Sequence, residues 1–79
     1  MKVVVQYFAI LREQRGLSEE MIGTASATPA GLYEELCARH GFTLPVGRIR
    51  AAVNGDFVPA STSLCDGDTV VFIPPVAGG

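Results

Sequence analysis

Thr28-Pro29-Ala30-Gly31-Leu32-Tyr33-Glu34-Glu35-Leu36-Cys37-Ala38-Arg39-His40-Gly41 is the strongest helical pattern in the chain, and what flanks it decides the fold. Thr28 offers a capping hydroxyl. Pro29 fits the first helical position, where its missing N–H costs nothing. Gly41 supplies a left-handed cap at the other end. The spacing predicts a helix to His40, with Leu32, Leu36 and Cys37 on one stripe and Glu34, Glu35, Ala38 and Arg39 largely on the other. Glu35 and Arg39 form a favourable i,i+4 pair. His40 falls in the last turn, where it can hydrogen-bond a free carbonyl and complement the helix dipole. No motif places a cysteine, serine or carboxylate to work with it as a general base.

Short strands lie on both sides of this helix. Upstream, Lys2 to Phe8 alternates with period two: Val3, Val5 and Tyr7 form the core face, while Lys2, Val4, Gln6 and Phe8 lie on the wetter one. A short helix over Ala9 to Arg15, closed by Gly16, leads to a second strand over Ser18 to Ala25. Downstream, a loop with Pro45 and Gly47 precedes a strand over Arg50 to Asn54. Asn54-Gly55 is a hairpin signal leading into Phe57 and Val58. Asp66-Gly67-Asp68 marks another turn, and Thr69 to Ile73 is the last strand. Four to five short strands about one main helix make an α+β fold, a mixed sheet with the helix on one face.

Composition narrows the function. The chain of 79 residues is one domain, 1–79, with 48% hydrophobic residues, enough to fold without disulfides or a structural metal. Six basic and eight acidic side chains are spread out and give a net charge of −2. No basic stripe follows phosphates, so nucleic acid is not the expected partner. Lys2 followed by three valines is too short for a signal-peptide core or a membrane span, and the expected location is cytoplasmic. Cys37 and Cys65 have no CxxC or Cys/His neighbours, so no zinc or iron–sulfur site is expected, only two buried or half-buried thiols. No nucleotide loop, nucleophile elbow or HExxH helix is present.

The chemistry gathers at the end of the chain, Val70-Val71-Phe72-Ile73-Pro74-Pro75-Val76-Ala77-Gly78-Gly79. Consecutive prolines lack N–H donors, so the strand leaves the sheet after Ile73. Residues 74–79 are expected to form an extended tail, stiff at Pro74-Pro75 and flexible at Gly78-Gly79. Ala77, Gly78 and Gly79 are expected to give a terminus thin enough for a narrow channel. The terminal carboxylate, with an ordinary pKa of roughly 3.3–3.7, is ionised at neutral pH and is a poor electrophile until activated. Glycine makes up about 7% of residues, so roughly one chain in 200 ends in Gly-Gly by chance. The Pro-Pro exit in a small α+β domain raises the signal well above that.

These residues resemble a family, the small subunits of molybdopterin synthase, which are ubiquitin-like β-grasp sulfur carriers. The match is densest in Ala51-Ala52-Val53-Asn54, in Asp66-Gly67-Asp68 and in Phe72 to Gly79. Tyr7-Phe8-Ala9 and Arg12 also fit, while Leu17 to Thr28 carries no distinctive motif. The resemblance implies that an E1-like adenylyltransferase spends ATP to adenylate Gly79. A sulfur donor protein then converts it to a thiocarboxylate, and the large synthase subunit receives the tail and passes the sulfur to a pterin precursor. It further implies a heterotetramer of two small and two large subunits, and no cofactor or metal bound by this chain.

Strand parity puts Phe8 on the face without the helix. Phe57 and Ile73 are expected beside it as an apolar partner patch, with Arg12 at the rim and residues 74–77 continuing into the partner. Scattered surface residues, or a second minor core under a loop, would give the same pattern. Three other functions share parts of this reading. One is a sulfur carrier for thiamin thiazole or amino-acid biosynthesis, against which Pro74-Pro75 argues. The others are a ubiquitin-like modifier joined to lysines through Gly79 and an interaction module whose Gly-Gly is incidental.

Overall fold

The computed structural model describes residues 1–75; Val76, Ala77, Gly78 and Gly79, the proposed working end, lie outside the described residues. In chain order the elements are β1 (Lys2–Tyr7), α1 (Ile10–Arg15), β2 (Glu19–Gly23), α2 (Pro29–His40), a 3-10 turn at Val46–Arg48, β3 (Arg50–Val53), β4 (Asp56–Val58) and β5 (Thr69–Ile73). The strands form one mixed sheet in the order β2-β1-β5-β3-β4. β1 and β5 are parallel at its centre, with Val5 opposite Val70 and Tyr7 opposite Phe72. All other pairings are antiparallel.

The helix signals act as expected. Thr28 Oγ1 accepts from the Gly31 amide at 3.2 Å, and Gly41 turns left-handed at φ 71°, its amide donating to the Cys37 carbonyl. Glu35 and Arg39 pair at 2.8 Å. The buried stripe is Pro29, Leu32, Tyr33 and Leu36, with Cys37 partly buried beside it. Tyr33 is the addition to the expected stripe. Its hydroxyl donates to the Leu44 carbonyl at 2.7 Å, which lets a polar atom enter the core satisfied.

Val3, Val5 and Tyr7 are buried, as their alternation requires, and pack with Val70, Phe72 and Ala51 against Leu32, Tyr33 and Leu36. Around Tyr33 the rings of Phe72 and Phe42 lie at centroid distances of 5.3 and 5.9 Å, within the range of favourable aromatic contact. The Asn54-Gly55 hairpin has positive φ at both residues, 52° and 93°, the combination a tight β-turn of this hand demands.

Several expectations need correction. β1 stops at Tyr7 because Ala9 turns the chain with φ 51°. β3 stops at Val53, where Asn54 starts the turn. β2 is shorter than 18–25: its ladder with β1 runs from Glu19 to Gly23, and beyond it Ser18 and Thr24 keep only terminal backbone hydrogen bonds, to Tyr7 and Met1. Cys65 is exposed, since its amide is tied to Asp68 Oδ2 within the turn and its side chain is left outside. His40 turns toward β2 instead of toward a carbonyl of its own helix: Nε2 stands 4.0 Å from Glu20 Oε2, and the ring rests 5.8 Å from that of Phe42.

Candidate functional site

The helix covers one face of the sheet. Register assigns the other face to Val4, Gln6, Val71, Ile73, Arg50, Ala52, Phe57 and Met21, each pairing with residues of the same parity across the ladders. Where β1 and β5 end side by side, this face opens into an apolar groove of about 640 Å³ lined by Phe8, Ala9, Ile10, Leu44, Ile73, Pro74 and Pro75. Because the two strands are parallel, their C-terminal ends coincide, and Phe8 and Ile73 arrive at the same place.

Phe8 is 48% exposed and Ile10 38%. Two large apolar side chains are thus left uncovered beside a concave surface, which makes this groove the candidate contact site. Pro74 is buried, so the first proline of the exit belongs to the folded body, and Pro75 is the first exposed residue of the departing chain. The described chain therefore ends at the groove.

The turn that presents Phe8 is unusual. The Leu11 amide donates to the Phe8 carbonyl at 3.1 Å, closing a four-residue turn with Ala9 at its second position. Ala9 has φ 51° and ψ −125°, a conformation glycine adopts freely and one that costs an L-residue with a Cβ on the order of 1–3 kcal/mol. Buried Tyr7 and Leu11 hold the turn from both sides.

The far end of α1 is held by charge. Glu20 receives Arg15 through two bonds, Nε to Oε2 at 2.7 Å and Nη2 to Oε1 at 2.9 Å, and the Tyr7 hydroxyl donates to Oε2 at 2.7 Å. The Arg15 hydrogen bonds, helped by that of Tyr7, pull the Glu20 carboxyl down to a pKa of about 2 against the opposing effect of desolvation. Burial, and then the Glu20 carboxylate, push the Tyr7 hydroxyl well above its ordinary value. His40 is depressed by burial and then by Arg15, more than Glu20 raises it, so it is neutral near pH 7. This cluster sets the position of α1, with no acid–base pair aimed at the groove.

Of the residues singled out in the sequence, the structure brings Phe8, Ile73, Pro74 and Pro75 together. Arg12 is exposed and lines a second, smaller depression of about 330 Å³ with Phe8, Gln6, Tyr7, Ser18 and Glu19. Phe57 does not join them. It shares the open face but sits on β4, three strands from β1 and so about 14 Å away. The Arg50 guanidinium lies over its ring, 4.2 Å from the centroid. Sequence reading missed Ala9, Ile10 and Leu44 as groove residues. Among the described residues, no group of three or more His, Cys, Asp or Glu could hold a metal ion, and no helix is long and apolar enough to cross a membrane.

A mixed five-stranded sheet grasping one long helix is the ubiquitin-like β-grasp fold. The chain belongs to the ThiS family, which it matches over residues 5–79. It is similar to the molybdopterin synthase sulfur carrier subunit of Escherichia coli (strain K12), with 35% identity over 80 residues covering 98% of this chain and 99% of that protein. The subunit of the same name from Mycobacterium tuberculosis is 38% identical over 81 residues, covering 99% of this chain and 98% of its own. Among solved structures, the complex of subunits 1 and 2 of the molybdopterin-converting factor from Helicobacter pylori contains a chain with a TM-score of 0.68 at 28% identity, with both chains fully covered. SAMP1 from Haloferax volcanii has a TM-score of 0.79 at 22% identity over the whole of both chains, a likeness of fold alone.

Proposed function

We propose that this chain is the sulfur carrier subunit of a molybdopterin synthase and acts as a co-substrate, its chemistry supplied by its partners. The observation that carries the reading is the meeting of the chain exit with the groove: Pro74 and Pro75 line the same apolar surface as Phe8 and Ile73. A partner that covers the groove thereby receives whatever follows Pro75. Full-length similarity to sulfur carrier subunits, and the fold's likeness to one half of a two-subunit converting factor, support the large synthase subunit as that partner.

The chemistry follows from the terminus. The ionised Gly79 carboxylate attacks the α-phosphorus of ATP on an E1-like adenylyltransferase, pyrophosphate leaves, and the carboxyl becomes an acyl adenylate. The terminal sulfur of a donor protein's persulfide adds to that carbonyl carbon and AMP departs, giving an acyl disulfide. A thiol then attacks the donor-side sulfur, the S–S bond breaks, and the products are the thiocarboxylate and a mixed disulfide on the donor. Gly78 and Gly79 carry no Cβ, so catalytic groups of an enclosing enzyme can close on the reacting carbon from several sides. The large subunit then holds the pterin precursor, which receives the sulfur from the inserted thiocarboxylate, in an assembly of two small and two large subunits. The chain itself needs no cofactor, ATP serves the activating enzyme, and all of these partners are cytoplasmic.

Phe8, Ile73, Pro74 and Pro75 form the centre of the docking surface in this reading, Arg12 its rim, and Val76 and Ala77 the stem that enters the large subunit. The test is intact mass after incubation with the adenylyltransferase, ATP and the sulfur donor. Replacement of one terminal oxygen by sulfur is expected, and an unchanged mass refutes the carrier reading. A stable isopeptide conjugate to lysine under the same conditions would favour a modifier instead.

A further inference from the structure

We propose that Ala9 is a positioning residue for docking: its Cβ, held in a backbone conformation that suits glycine, stiffens the turn that aims Phe8 and Ile10 into the groove. The inference rests on the reading of the groove as the large subunit's docking surface. Its basis is the combination of one strained residue, two exposed apolar neighbours and a groove that all three line.

A turn with φ 51° and ψ −125° at its second position is where glycine is the favoured residue. The strain serves no purpose in the core: Tyr7 and Leu11 on either side are already buried, and the residues between them point away from it. What the alanine adds is restriction. A glycine between two anchored residues can visit both signs of φ, and each visit swings the Phe8 and Ile10 side chains relative to the groove. An alanine that has been forced into the turn has few other conformations to visit.

Strain and rigidity act on different measurements. The strain is present in the free and the docked chain alike, so relieving it changes the stability of the fold and leaves the binding constant untouched. Loss of rigidity does the opposite, because a mobile Phe8 and Ile10 must be ordered on docking. α1 carries the same logic at its other end, where Arg15 is fixed to Glu20, so Ile10 is held by an element pinned at both ends.

The experiment compares Ala9→Gly and Ala9→Ser with the unchanged full-length chain, measuring Tm, the Kd for the purified large subunit by calorimetry, and synthase turnover at saturating carrier. Ala9→Gly should raise Tm by a few degrees while weakening binding about five- to tenfold, with turnover at saturation unchanged. Ala9→Ser, which keeps the Cβ, should bind close to the unchanged chain. A merely structural role would move Tm and leave Kd unchanged. Unchanged or tighter binding of Ala9→Gly overturns the proposal, as does an equal loss in Ala9→Ser. If the unchanged chain fails to bind the large subunit, the docking reading falls and takes the proposal with it.

Discussion

The two faces of the sheet both carry large apolar residues and use them in opposite ways. On the helix side Val3, Val5, Tyr7, Val70 and Phe72 are almost completely buried against Leu32, Tyr33 and Leu36. On the open side Val4, Val71 and Ile73 are only half-buried, and Phe8, Met21 and Phe57 are exposed. The open face also carries Lys2, Gln6, Glu19, Arg50 and Thr69, yet Val, Ile and Phe occur on both faces. What separates these shared residues is the covering element, which teaches that a hydrophobic strand residue in a domain this small is divided between stability and recognition by the topology around it.

That division can be broken experimentally. The largest effect belongs to the tail: adding one residue after Gly79 should abolish sulfur transfer with Tm unchanged, as read by thiocarboxylate mass and thermal melting, and retained transfer would break the assignment of function to the open side. On the helix side, Leu36→Ala should cost about 2–5 kcal/mol of stability in denaturant unfolding, and large-subunit affinity should hold wherever the variant is folded. Phe8→Asp should behave in the reverse manner, losing about 2 kcal/mol of binding, roughly thirtyfold in Kd, with little change in Tm.

Smaller effects sharpen the contrast. Glu20 titrates near 2 in the fold against an ordinary 4.5, so its stabilisation is complete above about pH 4.5 and is lost as pH falls through 2. His40 acts in the same direction at higher pH, because a depressed histidine favours the neutral form and protonation near its ordinary pKa of 6.5 opposes folding. Glu20→Gln should therefore cost about 1–2 kcal/mol near pH 7 and flatten the acid limb of the stability curve measured by urea unfolding. Phe57→Ala should do least. Its contact with Arg50 is exposed and worth about 0.5–1 kcal/mol, and large-subunit binding should not change. A loss comparable to that of Phe8→Asp would extend the docking surface across the whole open face.

Features encoded within a few residues were legible in the sequence. The Thr28-Pro29 start, the Gly41 stop, the Asn54-Gly55 turn and the parity of Val3, Val5 and Tyr7 all depend on local backbone chemistry, and each is realised. Tyr33 was missing from the expected stripe, although its spacing of four from both Pro29 and Cys37 is a helical signal. The parallel contact of β1 with β5 joins residues such as Val4 and Thr69, which no local pattern connects. The groove followed the same rule. Phe8 and Ile73 could be placed on the open face by parity, but Leu44 comes from an irregular loop, and Ala9 occupies a conformation for which sequence reasoning expects glycine. Phe57 was assigned to the correct face and the wrong neighbourhood, since parity fixes a side and says nothing about which strand stands next to which.

The central β1–β5 pairing also governs how the chain comes into being. The first strand has no partner at the sheet's centre until the last one has been synthesised, and pairings between such distant parts of a chain are the slow, late events of folding. A nascent or truncated polypeptide lacking residues 69–73 leaves Val3, Val5 and Tyr7 without the strand that shares their core, and it remains a substrate for chaperones and proteases.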